Sequence, residues 1–181
     1  DGNDGKLYIV QARPETVHSS QARHVLKTYS LEQKGEILAS GRSVGRQIGA
    51  GKARIILEAA HMNQLEPGDV LVTDITDPDW EPVMRKASAI VTNRGGRVCH
   101  AAIIARELGI PAIVGNNDAT LTINDGAPVT VSCAEGDVGN VYAGELPITV
   151  DEQVADQATT ERTDIMLNIG NPGNAFELSA L

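Results

Sequence analysis

The most informative stretch of this chain runs from Thr92 to Gly115, TNRGGRVCHAAIIARELGIPAIVG. A glycine-rich loop precedes His100, and from His100 onward apolar residues recur at helical spacing. Gly109 and Pro111 are typical of the end of a helix, and the apolar run after Pro111 is typical of a buried strand. The stretch therefore predicts a glycine loop, a helix that begins at a histidine, and a strand.

The N-terminus of this predicted helix is suited to an anion. The first backbone N–H groups of a helix have no partner within it, and the aligned peptide dipoles add about half a positive charge there. Gly95 and Gly96 allow close approach of the backbone, and Arg97 adds a cation with a forked set of donors. The residues therefore indicate that His100 accepts a phosphoryl group, which Gly95, Gly96 and Arg97 would stabilise.

The sequence also allows other roles for His100 and its neighbour Cys99. A lone histidine at a helix start is often a capping or surface residue, and spacing alone leaves that alternative open. A metal site is disfavoured because no two of the four histidines are four residues apart. Cys99 and His100 would not face each other on a helix, which disfavours a cysteine nucleophile with a histidine base. The stretch also lacks the Lys-Ser/Thr of a P-loop.

Composition narrows the class of protein. The chain has 181 residues, a net charge of −9 and 41% hydrophobic residues, which suits one globular domain with extra length or linkers. The acidic balance and the 3% of aromatic residues argue against nucleic-acid binding. No apolar run approaches the roughly 20 residues of a membrane span, and no signal peptide is visible. Two cysteines are too few for a disulfide framework, so a cytoplasmic setting is expected.

The rest of the chain predicts a mixed α/β fold in which strands dominate the first half. A hairpin that turns at EGDVG is expected near the end of a central module. A short helix capped by Asp77 is expected in the middle of the same module. The polar segments on either side of the module are typical of linkers. Because the chain begins without Met and ends within an apolar pattern, we expect it to be a piece of a longer polypeptide. Strands are expected at 24–31, 35–45, 51–59, 69–74, 88–93 and 111–115.

Four segments resemble one family in the same order. GGRVCHAAIIARELGIPAIVG resembles the phosphohistidine signature of the phosphoenolpyruvate-utilising enzymes. LYIVQARPETV resembles the end of their nucleotide-binding domain, VTVSCAEGDVGNVY the close of their histidine domain, and MLNIGNPGNAF the start of their phosphoenolpyruvate-binding barrel. The resemblance implies the end of an ATP-grasp-like domain at 1–17, a swivelling β/β/α phosphohistidine domain at 18–148, a linker at 149–162 and the start of the barrel at 163–181.

The resemblance also implies an activity. In the branch of the family that this chain most resembles, ATP, pyruvate and water give AMP, phosphoenolpyruvate and phosphate. His100 matches the histidine that carries the phosphoryl group, and Gln11 and Arg13 match positions near the ATP phosphates. ATP and pyruvate would be substrates of the full-length enzyme. Mg²⁺ would be held by neighbouring domains, and none by this chain. The alternatives are a carrier of the pyruvate phosphate dikinase or Enzyme I type, or a docking module without catalysis.

Val98 departs from the family pattern. The family commonly has threonine two residues before the histidine, and in bacterial members a regulatory protein phosphorylates that hydroxyl. Valine has a similar shape but no hydroxyl. We therefore expect that this chain is not regulated by phosphorylation at position 98.

Overall fold

The computed structural model of the protein describes residues 25–154, with the side chains of residues 27–152. The expected mixed α/β fold is confirmed. Gln11, Arg13, the N-terminal segment and residues 163–181 lie outside the described residues, so the predictions made for them stay predictions. The strands are β1 Val25–Leu31, β2 Ile37–Val44, β3 Ile48–Ile55, β4 Val70–Thr73, β5 Ala89–Thr92, β6 Ala112–Val114, β7 Pro128–Ser132, β8 Val138–Ala143 and β9 Ile148–Val154. The α-helices are α1 Glu81–Met84, α2 His100–Leu108 and α3 Ala119–Thr122, and 3-10 helices lie at Ala59–Gln64 and Pro78–Trp80.

Seven strands close into a barrel in the order β2-β6-β5-β4-β3-β7-β8. Strands β3, β4, β5 and β6 pair in parallel, and the other pairs are antiparallel. Successive side chains of a strand point to opposite faces. On β4, Leu71 packs outward with helix α2, while its neighbours on the strand pack inward. The inward-facing core contains Val70, Val72, Ala89, Val91, Ile113, Val129, Val131 and Val141.

The glycines of β3 permit close contact within this barrel. Glycines as closely spaced as those between 41 and 51 are typical of tight turns or bulges. Gly45, with φ +85°, does lie in the turn between β2 and β3. Gly49 and Gly51, however, lie inside β3, where an added Cβ would come within 2.4 Å of the Ser88 carbonyl and 2.1 Å of the Gly68 carbonyl. They are needed because neighbouring backbone occupies the space of a side chain.

Strands β1 and β9 form a separate two-stranded antiparallel ribbon, from the pair Leu31–Ile148 to the pair Val25–Val154. Residues 149–154 belong to the segment expected to be a linker, and its polar sequence hid this strand. The ribbon places the two chain connections of the barrel side by side. The division of the chain into domains remains a prediction.

The carboxyl ends of β4, β5 and β6 lie at one edge of the barrel because these strands are parallel. Backbone hydrogen bonds join the loops that follow them: Asn93 N donates to Thr73 O at 3.0 Å, and Asn116 N donates to Thr92 O at 3.1 Å. Helix α2 begins at this edge and packs on the sheet through small residues, including the buried Ala101 and Ala105. The edge therefore brings together three loops and the start of one helix.

Candidate functional site

His100 is the first residue of α2 and its side chain is partly exposed at the carboxyl edge of the parallel strands. The N-cap residue is Cys99, which has an extended backbone and makes no side-chain capping bond. The first bond of the helix runs from Ile103 N to Cys99 O at 3.1 Å. The N–H groups of residues 100–102 precede it and have no acceptor within the helix. His100 is therefore the first helical residue rather than the cap, and the N–H groups at the start of its helix are suited to an anion.

Thr76 is a contact of His100 that sequence reasoning missed. Its hydroxyl Oγ1 lies 3.4 Å from Nδ1 of His100, and the threonine is only 8% exposed. Thr76 follows β4, whereas His100 follows β5, and the parallel pairing of these strands brings the two together. The signal available in the sequence was a polar residue shortly after a predicted buried strand. The contact thus involves the Nδ1 side of the imidazole ring.

Gly95 and Gly96 differ in what surrounds them. Gly95 has φ +122°, and an added Cβ would lie 2.8 Å from Sγ of Cys99. An added Cβ at Gly96 would meet no protein atom within 4 Å. Gly95 is thus required by the fold of the loop, whereas Gly96 borders open space near the helix start. That open space is what a bound group would need.

Arg97 lies in the same loop as His100, but its guanidinium pairs with Asp137 on the turn between β7 and β8. Cys99 N donates to Gly96 O at 3.0 Å, which places Arg97 at the corner of a tight turn. The side chains of Arg97 and Asp137 are 44% and 89% exposed. The structure thus brings Arg97 to the loop of His100 and gives it a carboxylate partner that the sequence did not indicate.

A second ion pair lies at the same edge of the barrel. Arg94 pairs with Asp74, and Arg94 N donates to Asp74 O at 2.9 Å. The hydrogen bond from Arg94 holds the pKa of the Asp74 carboxyl below its usual value. Both arginines of the histidine loop are thus paired, Arg94 with the half-buried Asp74 and Arg97 with the more exposed Asp137.

Exposed apolar side chains also lie near His100. Ile75, Val98 and Ile103 are 51%, 86% and 36% exposed. Ile75 adjoins Thr76, and Ile103 lies one helical turn after His100. Val98, the residue that departs from the family pattern, is thus presented to solvent at the corner of the histidine loop.

Among residues 25–154, no three His, Cys, Asp or Glu side chains are grouped so that they could hold a metal ion. No helix in this range has the length and apolar character needed to cross a bilayer. The thiol of Cys133 is buried and donates to Ala112 O at 3.2 Å, and Cys99 packs partly against the core.

Similarity to known proteins supports the resemblance. Residues 65–136 match the family model described as PEP-utilising enzyme, mobile domain. The whole chain is 58% identical to the phosphoenolpyruvate synthase of Escherichia coli K12 and 57% identical to that of Pseudomonas aeruginosa UCBPP-PA14. It is 40% identical over 170 residues to a probable phosphoenolpyruvate synthase of Archaeoglobus fulgidus. A solution structure of Enzyme I (nEIt) is 33% identical, with 44% of this chain and 33% of that chain covered and a TM-score of 0.38, which adds nothing about the fold.

The chain matches only part of the length of these relatives. The chain spans 23% of the length of the two bacterial relatives and 22% of the archaeal one. The matched residues 65–136 contain the glycine loop, His100 and helix α2. Residues 65–136 therefore match the mobile domain of the PEP-utilising enzymes, and the chain as a whole is similar to one part of the phosphoenolpyruvate synthases.

Proposed function

We propose that this chain is the phosphoryl-carrying segment of a phosphoenolpyruvate synthase, with His100 as the residue that accepts the phosphoryl group. The observation that carries the proposal is the partly exposed His100 at the first position of α2, in a loop where an added Cβ at Gly96 would meet no protein atom within 4 Å. The full-length enzyme would convert ATP, pyruvate and water to AMP, phosphoenolpyruvate and phosphate. The chain by itself would be inactive, because the sites for nucleotide and pyruvate lie in neighbouring domains.

The chemistry would be nucleophilic and would divide one transfer into separate steps. The Nε2 lone pair of His100 attacks the β-phosphorus of ATP, and the P–O bond to AMP breaks. Water then removes the outer phosphate, which leaves one phosphoryl group on the ring. The oxygen of enolised pyruvate finally attacks this phosphorus, and the P–N bond breaks to restore neutral His100.

The surroundings of His100 are suited to the charge of that intermediate. A phosphoryl group carries about two negative charges near neutral pH. The N–H groups at the start of α2 and the backbone at Gly95 and Gly96 would donate to its oxygens, and Arg97 would pair with it. The contact between Thr76 and Nδ1 would hold the ring so that Nε2 faces the incoming phosphorus.

The rest of the proposal concerns neighbouring domains. Gln11 and Arg13 would contact the ATP phosphates, and Mg²⁺ would be bound outside residues 25–154. The β1–β9 ribbon supports a barrel that moves as one body, because both chain connections leave through the same pair of strands. The setting of such an enzyme would be the cytoplasm.

The test is an assay of the complete polypeptide that contains this chain, supplied with ATP, Mg²⁺ and pyruvate. We expect phosphoenolpyruvate, AMP and phosphate in equal amounts. His100→Ala is expected to abolish product formation, whereas His61→Ala, which replaces another exposed histidine, is expected to leave it unchanged. A strict need for added phosphate would assign the dikinase type instead. Full activity of His100→Ala would contradict the proposal.

A further inference from the structure

The turn between β7 and β8 carries two carboxylates that reach different parts of the protein. Ser43 fixes the backbone of this turn, since its N–H donates to Asp137 O at 3.1 Å and its hydroxyl donates to Gly136 O. Glu135 accepts from Lys34, in the connection from the ribbon to the barrel, at 2.7 Å. Asp137 accepts from Arg97 in the histidine loop. The turn thus has one contact with the phosphoryl site and one contact away from it.

The two carboxylates are held very differently. Glu135 is 23% exposed and also accepts from the hydroxyl of Tyr142 at 2.8 Å. Burial acts to raise the pKa of Glu135, but the hydrogen bonds from Lys34 and Tyr142 outweigh it, so the pKa lies below its usual value. Asp137 is 89% exposed, and in the described part of the chain its carboxylate has Arg97 as partner. Glu135 is therefore a fixed structural contact, whereas the pair of Asp137 with Arg97 is easily exchanged.

Arg97 is placed so that it can reach either of two anions. It occupies the corner of the turn closed by Cys99 N and Gly96 O, three residues before His100. Its side chain is 44% exposed, so a change of its torsion angles meets little packing. Its neighbour Gly96 borders open space, since an added Cβ there would meet no protein atom within 4 Å, so the guanidinium has room on this side of the loop as well.

We propose that Asp137 is a positioning residue that holds Arg97 while His100 carries no phosphoryl group and releases it when the phosphoryl group arrives. An exposed ion pair contributes little net stability, so the exchange has a small cost. A dianionic phosphoryl group offers a guanidinium two charge-assisted hydrogen bonds and twice the charge of a carboxylate. Arg97 is thus kept near the site in an ordered position and is transferred to the phosphoryl group by competition. No covalent bond changes in this exchange.

The inference rests on the proposed function, because it requires a phosphoryl group on His100. The experiment uses the 181-residue chain phosphorylated with phosphoramidate, a small donor that acts on accessible imidazoles without the neighbouring domains. Phosphorus NMR from near-neutral to alkaline pH, where the P–N bond survives, follows the titration of the phosphorylated ring, whose midpoint is called the phosphoryl pKa, and the His100→Ala chain identifies its signal. The variants are Asp137→Asn, Arg97→Met, their combination, and Lys34→Met as the matched control. Lys34→Met removes an ion pair from the same turn without touching the histidine loop.

The expected result is a lower phosphoryl pKa in Asp137→Asn, since Arg97 then pairs with the phosphoryl group without competition. The shift should be about 0.2 to 0.7 pKa units, which is the size of a surface ion pair. Lys34→Met should match the wild-type chain. In the Arg97→Met background, Asp137→Asn should change the phosphoryl pKa only as much as the removal of one exposed charge would. The neighbouring charges Asp74 and Arg94 are unchanged throughout and pair with each other.

A second measurement follows Arg97 itself. The NMR signal of its side-chain Nε–H should respond to Asp137→Asn before phosphorylation and become insensitive to it afterwards. An equal phosphoryl pKa in Asp137→Asn and wild type, or an equal shift with and without Arg97, would overturn the inference and leave the proposed function intact. Failure of His100 to take up any phosphoryl group in the wild-type chain would instead overturn both.

Discussion

At the scale of single residues, the site depends on what holds the imidazole of His100 in place. The ring contacts the buried hydroxyl of Thr76. His100 is also the first residue of a helix whose first N–H groups lack helical acceptors. Thr76 comes from a loop 24 residues earlier in the chain. The orientation of the ring is therefore set by the pairing of β4 with β5, beyond the local sequence.

Thr76→Val tests this contact, because it keeps the shape of the side chain and removes the hydroxyl. We expect phosphorylation of His100 to slow by about threefold to tenfold, the equivalent of a net hydrogen bond of about 1 kcal/mol. Thr76→Ser should restore the rate, and Thr122→Val, on the exposed side of α3, should not change it. A rate for Thr76→Val equal to that of the wild type would show that the contact does not position the ring.

Gly95→Ala and Gly96→Ala form a matched pair. Gly95→Ala places a methyl group 2.8 Å from Sγ of Cys99 at φ +122°, so we expect a loss of about 1–3 kcal/mol of unfolding free energy. Gly96→Ala meets no protein atom within 4 Å and should leave stability close to that of the wild type. Chemical denaturation of both variants measures the difference. Equal stability of the two would contradict the described conformation of the loop.

At the scale of elements, the short helical segment after β4 depends on its first residue. The carboxylate of Asp77 accepts from Asp79 N at 3.0 Å, and Pro78 follows it at the first helical position. This is the arrangement that the sequence predicted, although the segment begins as a 3-10 helix before α1. The segment carries Trp80 into the outer core, so its start also affects packing.

Asp77→Ala should therefore destabilise the protein by about 1 kcal/mol, because the N–H of Asp79 loses its acceptor. Asp79→Ala is the control, since it removes a carboxylate from the same turn and keeps that N–H and its acceptor. Thermal unfolding of the two variants gives the comparison. A larger loss for Asp79→Ala than for Asp77→Ala would mean that the cap has no part in stability.

The elements also show what the sequence could and could not predict. Local signals were sufficient for α2, which begins at His100 and ends before Gly109 at φ +68°, and for most strands of the barrel. They failed for β9, where Asp151, Glu152 and Gln153 interrupt the apolar residues, and for the four-residue helix α3. They also failed for the partners Thr76 and Asp137, since these contacts link segments 24 and 40 residues apart.

At the scale of the whole molecule, the barrel buries a thiol whose pKa depends on the barrel being folded. Cys133 is 1% exposed, and burial raises its pKa from about 9 to about 11. The thiol stays protonated in the folded state while the unfolded chain loses the proton. The stability linked to this group is thus fully present below pH 9 and is lost as the pH rises toward 11.

We expect unfolding free energy to fall by about 2–3 kcal/mol between pH 9 and pH 11 from Cys133 alone. Burial also raises the pKa of Tyr142, which acts in the same direction at high pH. Denaturation curves of the wild type and Cys133→Ala across this range isolate the thiol, because only the change with pH is compared. Parallel pH dependence in the two proteins would show that the thiol is not buried as described.

The barrel, the ribbon and the histidine loop form the body that we propose carries a phosphoryl group on one edge. The exposed apolar residues Ile75, Val98 and Ile103 lie at that edge, as expected of a surface that contacts other domains during transfer. His100 is the residue that we expect to become phosphorylated. The complete polypeptide is incubated with Mg²⁺ and ATP labelled at the β-phosphate, and the label is located by peptide mapping at alkaline pH, where phosphohistidine survives. The account predicts label on the peptide that contains His100 and none in His100→Ala; label retained by His100→Ala would contradict it.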